Sequence, residues 1–144
     1  MAADPLKILI ADDDGNVRDL IRIRLRIAGF DPYVAKNGRE AVDRALSLWP
    51  AAMILDINMP ELDGFAVLSE IQDRAPDRKI PTLVLTARHS SDDVQMAVAL
   101  GARDYLTKPF TEAQLLARVS RLLRKPVQRP TASKVVDDGR IVEI

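Results

Sequence analysis

A chain of 144 residues falls within the size of one domain and can bury about two-thirds of its unfolded surface. It has no cysteine, which excludes disulfide scaffolds and thiolate metal sites, and no apolar run approaches the ~20 residues that span a bilayer. Lysine plus arginine and aspartate plus glutamate number 21 each, so the chain lacks the basic excess of a module that binds nucleic acid directly.

The opening segment, Met1 to Asp14, has no basic stretch followed by a long apolar one, and the expected location is cytoplasmic. The first predicted strand is Ile8-Leu9-Ile10-Ala11, with Asp12 and Asp13 directly after it. A helix is expected from Gly15 to Ala28, stopping at Gly29. At about 100° per residue, Val17, Leu20, Ile21, Leu25 and Ala28 share one face; Ile23 and Ile27 widen the apolar arc, and Arg24 falls inside it. Two readings stand: a wide buried stripe with Arg24 snorkelling outward, or a partner surface that includes Ile23 and Ile27. Arg18, Arg22 and Arg26 recur every four residues, the pattern of a solvated helix face.

A second strand, Asp31 to Ala35, leads to Asn37, Gly38, Arg39 and Glu40, where Asn followed three positions later by Glu signals a helix start. That helix stops at Trp49 and Pro50, with Trp49 read as a helix-end packing residue. Met53-Ile54-Leu55 is the third strand; Asp56 ends it, and Asn58, Pro60, Asp63 and Gly64 follow. The third helix runs from Asp63 to Ala75, where Pro76 prevents continuation. Thr82-Leu83-Val84-Leu85 is the fourth strand, ending at Thr86. His89, the only histidine, has no Cys or His neighbour to share a metal and reads as a solvated loop residue. A fourth helix spans Ser91 to Gly101, and Tyr105-Leu106-Thr107 is the fifth strand, followed by Lys108, Pro109 and Phe110. Thr111, Glu112, Ala113 and Gln114 form a capping box that opens the last helix. From Lys125 to Lys134, with Pro126 and Pro130, the composition is that of a linker; Val135-Val136 and Ile141-Val142 around Asp138-Gly139 then give a hairpin signal.

Strands alternating with helices in this way predict a flavodoxin-like doubly wound parallel sheet of five strands, order 2-1-3-4-5, with five helices. Ligands of such sheets sit at the carboxyl ends of the strands. Asp12, Asp13, Asp56, Thr86 and Lys108 each end or follow a strand, so folding gathers three carboxylates, a hydroxyl and an ammonium at one edge.

In this order and spacing, Asp12-Asp13, Asp56 with Asn58, Pro60, Asp63 and Gly64, Thr86-Ala87, and Lys108-Pro109-Phe110 resemble the response regulator receiver family of two-component signalling, from about Lys7 to Arg124. The resemblance implies a receiver domain over residues 1–124 and a linker or tail over 125–144, which is either a lone tail or the start of an output domain. It implies that Asp56 accepts a phosphoryl group from a histidine kinase or phosphotransfer protein, a carboxylate being able to attack phosphorus without a separate base. Three carboxylates in one crevice raise one another's pKa, and a hard divalent cation relieves this. By resemblance that ion is Mg2+, held by Asp13, Asp56 and the backbone carbonyl of Asn58, with Asp12 acting through water. Lys108 would neutralise the phosphoryl group across a cis Lys108-Pro109 bond, and Thr86 and Tyr105 would form the switch. The first helix would meet the kinase. The fourth helix, fifth strand and fifth helix would change partner binding or make a phosphorylation-dependent homodimer, with Asp104, Arg118 and Arg121 offering charges. Val94 and Gln114 stand where the winged-helix class has charged partners, so a weaker or different association is expected. The domain would catalyse only its own phosphorylation and dephosphorylation, without direct nucleic-acid or membrane binding.

Two alternatives differ in class. A winged-helix module often begins with a hairpin, so the chain could be the receiver part of a DNA-binding transcription regulator. Asp12-Asp13-Asp14-Gly15 also fits the Asp-x-Asp-Gly opening of haloacid dehalogenase-like Mg2+ phosphatases, with Asp12 as nucleophile. That reading lacks a paired acidic motif after the lysine and leaves Asp56 to Gly64 without a purpose.

Overall fold

The computed structural model describes residues 4–87 and 90–124, together with the backbone of 134–135 and 141–142. Strands β1 (Lys7–Ala11), β2 (Asp31–Ala35), β3 (Ala52–Asp56), β4 (Thr82–Thr86) and β5 (Asp104–Thr107) alternate with helices α1 (Gly15–Ile27), α2 (Gly38–Leu48), α3 (Gly64–Arg74), α4 (Ser91–Ala99) and α5 (Glu112–Leu123). These strands pair in parallel in the order β2-β1-β3-β4-β5. The protein thus has the expected flavodoxin-like architecture.

Burial explains the arrangement. Every residue of β3 and β4 is buried, so both strands must lie inside the sheet with helices over both faces. Successive strand side chains point to opposite faces. Leu9, Met53, Leu55 and Val84 therefore pack with residues of α2 and α3, such as Val42 and Val67. Ile8, Ile10, Ile54, Leu83 and Leu85 pack instead with Ile21 and Leu25 of α1 and with Leu115 and Val119 of α5.

Each helix opens on a polar cap. Asp14, Asn37, Asp63, Ser90 and Thr111 accept backbone N–H groups of the first turns, which helices cannot satisfy internally. Thr111 and Gln114 complete the expected capping box. Gly29 and Gly101 follow α1 and α4 with φ of 98° and 104°, a left-handed conformation that glycine adopts without steric cost.

The first helix is narrower in its buried face than the periodicity predicted. Ile21 and Leu25 are buried, but Leu20 is 49% exposed, Ile23 46% and Ile27 73%. The reason is geometric: the sheet covers the i, i+4 stripe, and Leu20 lies a third of a turn away on the flank. Two arginines of α1 have partners elsewhere in the fold. Arg24 Nε stands 3.2 Å from Glu112 Oε2 and ties α1 to the first turn of α5. Arg18 donates to the backbone carbonyl of Asp12 at 2.9 Å. Trp49 ends α2 as expected, with Arg78 3.9 Å above its ring.

Among the described residues no helix is long and apolar enough to cross a membrane. The backbone of β6 (Lys134–Val135) and β7 (Ile141–Val142) pairs antiparallel, β6 starting one residue before the expected run Val135-Val136 and β7 coinciding with Ile141-Val142. The Asp138-Gly139 turn, the linker 125–133 and His89 lie outside the described residues.

Candidate functional site

The parallel register brings the strand ends together. Ala11 is level with Leu55 and Asp56 with Leu85, so Asp12, Asp56 and Thr86 leave neighbouring strands at nearly the same height. Asp12 and Asp56 are buried, Asp13 is exposed, and a carboxylate oxygen from each lies within 4.8 Å of the others. This is a donor set that a hard cation fits.

Each buried carboxylate is held at both oxygens. Asp12 accepts the Asp14 N–H at 2.9 Å on Oδ1 and the Lys108 ammonium at 2.9 Å on Oδ2. Asp56 accepts the Asn58 N–H at 3.2 Å on Oδ1 and the same ammonium at 3.1 Å on Oδ2. Lys108 reaches both from beyond β5, with its own N–H donating to the Thr86 carbonyl at 2.8 Å and with a cis bond to Pro109. The resemblance cast Asp12 as acting through water and Lys108 as a partner for an incoming group. In the structure Lys108 pairs directly with both Asp12 and Asp56.

Burial and the Asp12 charge push the Asp56 carboxyl up to about 6, against the lowering effects of Lys108 and the Asn58 N–H. Burial works against the Lys108 charge, but its hydrogen bonds to Asp12 and Asp56 outweigh this and raise its pKa. The Lys108 ammonium pairs with two of the three clustered carboxylates, Asp12 and Asp56.

The loop after β3 is closely built. Gly64 N–H donates to the Ile57 carbonyl at 2.7 Å, and a Cβ at Gly64 would come within 2.6 Å of the Asp56 carbonyl oxygen. Only glycine lets α3 start this close to the end of β3. Asn58 is exposed on this loop, two residues from Asp56.

Thr86 is fully buried at the end of β4, and Tyr105 on β5 is level with Val84 and packs partly buried against the core. Asp104 accepts from Arg118 at 2.9 Å and from Arg121 at 2.6 Å, so these three charges are paired within one chain. Burial opposes the Asp104 charge, but Arg121, the Tyr105 N–H and Arg118 together hold its carboxyl below the usual range. Sequence reasoning missed Arg18 as a support of the Asp12 loop. An arginine six residues after an aspartate is too common to signal that contact.

A flavodoxin-like sheet with an acidic, lysine-bridged crevice at its carboxyl edge defines a class of small α/β domains that bind an ion or phosphate where the strand order reverses. The chain belongs to the response regulator receiver domain family, whose model matches residues 8–120. It is 43% identical over 127 residues to the transcriptional regulatory protein PrrA of Mycobacterium tuberculosis, covering 88% of this chain and 54% of that protein. It is 40% identical over 128 residues to the DNA-binding dual master transcriptional regulator RpaA of Synechocystis, covering 89% and 53%. The chain therefore spans about half the length of these relatives. Among solved structures, chemotaxis protein CheY4 of Vibrio cholerae superposes with a TM-score of 0.78 at 32% identity, covering 83% of this chain and 99% of that one. The receiver domain of Francisella response regulator 1452 gives 0.76 at 31% identity, covering 83% and 97%. The phosphatase alternative has no use for the Asp56 to Gly64 segment, which here brings the Asp56 carboxylate and the Asn58 N–H that holds it to the crevice.

Proposed function

We propose that this chain is the phosphoacceptor of a cytoplasmic two-component pathway and takes a phosphoryl group on Asp56 from the phosphohistidine of a kinase or phosphotransfer protein. The observation that carries this is the state of Asp56: buried, poised near pH 6, beside two further carboxylates and one ammonium. In the transfer an Asp56 oxygen forms the new O–P bond as the donor's N–P bond breaks, and the imidazole leaves with the electron pair. Asp12, Asp13, Asp56 and the Asn58 carbonyl would hold Mg2+, which supplies charge neutralisation at the phosphoryl oxygens. Lys108 moves from its two carboxylate partners toward the new anion. Thr86 donates its hydroxyl to a phosphoryl oxygen, and the space it leaves is taken by Tyr105, which re-forms the α4-β5-α5 surface.

Residues 1–124 form the working receiver unit in this reading, and 125–144 lead toward an output region. The half-length match to PrrA and RpaA favours a DNA-binding output beyond this segment, with no nucleic-acid contact by the receiver itself. Incubation with acetyl phosphate and Mg2+, followed by borohydride trapping and peptide mass spectrometry, should place one label on Asp56. Label on Asp12, or undiminished labelling with the metal chelated, would overturn the assignment.

A further inference from the structure

Gly38 opens α2, where Leu62 of the β3-α3 loop that follows Asp56 rests against it. Its φ is not in the left-handed region, so its backbone conformation does not require glycine. In a helix, glycine costs stability relative to alanine. What the position does require is space. A Cβ on Gly38 would overlap the Leu62 carbonyl oxygen and lie 2.5 Å from Leu62 Cβ and 2.6 Å from its carbonyl carbon. Most of these atoms are backbone and cannot rotate away.

The loop pressed onto Gly38 is under strain. Leu62 N–H donates to the Pro60 carbonyl at 2.8 Å across Glu61, whose φ is 71°. This tight three-residue turn is disfavoured for a residue with a side chain, and such strain persists only where the surroundings over-determine it. Two close approaches supply that constraint: Gly64 against β3 on one side and Gly38 beneath Leu62 on the other. Between them lies Asn58, whose N–H holds one oxygen of Asp56.

We infer that Gly38 is a positioning residue for the phosphoacceptor: its missing side chain seats the β3-α3 loop on α2 and so keeps the Asn58 N–H on Asp56. The inference rests on Asp56 as phosphoacceptor, but the two fail separately. Wild-type label elsewhere would sink the function, whereas the coupling of Gly38 to Asn58 is read from the unphosphorylated chain.

The test uses the whole chain and the variants Gly38→Ala, Leu62→Gly and Gly29→Ala. Gly29 has φ 98° and open space around its Cβ, so its variant strains a different loop and leaves the crevice untouched. Three readouts are taken: the Mg2+ dissociation constant from amide-shift titration, hydrogen exchange at the Asn58 amide, and the acetyl phosphate labelling rate. Gly38→Ala should weaken Mg2+ binding about tenfold, in line with losses seen when a ligand's support is removed, and should speed Asn58 exchange. Leu62→Gly, which takes away the Cβ that a side chain at position 38 would meet, should shift both in the same direction, and it decides the matter if Gly38→Ala does not fold. Gly29→Ala should keep the parent's Mg2+ affinity. Parent-like Mg2+ affinity and Asn58 protection in a folded Gly38→Ala or in Leu62→Gly, or an equal loss in Gly29→Ala, would overturn the inference.

Discussion

The Asp56 carboxyl titrates near 6 against an ordinary value of 3.8, because it is buried beside Asp12. A raised acid favours the fold while protonated. Its contribution is fully present below pH 3.8 and is lost as the pH rises through about 6. The charged form of this buried carboxylate therefore weighs against the fold at neutral pH, at the residue proposed as phosphoacceptor. Asp56→Asn removes the charge and keeps the shape. With divalent ions chelated, the variant should be more stable than the parent by about 1–3 kcal/mol at pH 7, with the advantage vanishing near pH 4. Urea unfolding at both pH values measures this. A gain that is the same at pH 4 and 7 would mean that charge burial at Asp56 is not its source.

At the scale of the element, α1 presents Leu20, Ile23 and Ile27 to solvent while Ile21 and Leu25 fill the core. Exposed apolar side chains gathered on one helix mark an interaction surface more often than a structural need. This helix also carries Arg18, whose bond to the Asp12 carbonyl links it to the crevice. Replacing Ile23 and Ile27 together with glutamine should leave the melting temperature within about 2 °C of the parent, since exposed substitutions rarely exceed ~0.5 kcal/mol. Labelling by acetyl phosphate should be unchanged, and phosphotransfer from the cognate kinase should slow, because only the large donor docks. Equal loss with both donors would assign the two isoleucines to the fold.

Over the whole molecule, the crevice and the α4-β5-α5 surface are connected through β4 and β5, whose ends carry Thr86 and Lys108. Asp104 is already clasped by Arg118 and Arg121 of the same chain, so a symmetric partner must compete with these internal pairs. The Arg121 end of the clasp is exposed, and pairs open to water are worth only about 0–1 kcal/mol, so the competition weakens association without forbidding it. Sedimentation with Mg2+ and beryllofluoride should therefore show a weak, concentration-dependent increase in mass that Tyr105→Ala abolishes. No change in association or in Tyr105 exposure with the mimic would remove this surface as the output.

Strand and helix positions were legible in the residues because local physics sets them: buried apolar runs, caps such as Asn37 and Thr111, and stops such as Gly29 and Pro76. The gathering of Asp12, Asp13, Asp56 and Lys108 was legible as well, since strand ends in a doubly wound sheet converge whatever the side chains are. Which face of α1 is covered was not. Periodicity reports an apolar arc of about 100° or more, but the packing covers only the stripe through Ile21 and Leu25, and that left Leu20 outside. The pairing of Lys108 with both carboxylates, the clasp on Asp104 and the seat of Leu62 on Gly38 were likewise decided only by the tertiary structure. Each joins residues at least 14 positions apart, where chain connectivity carries no local signal and only the packed distances select the partner.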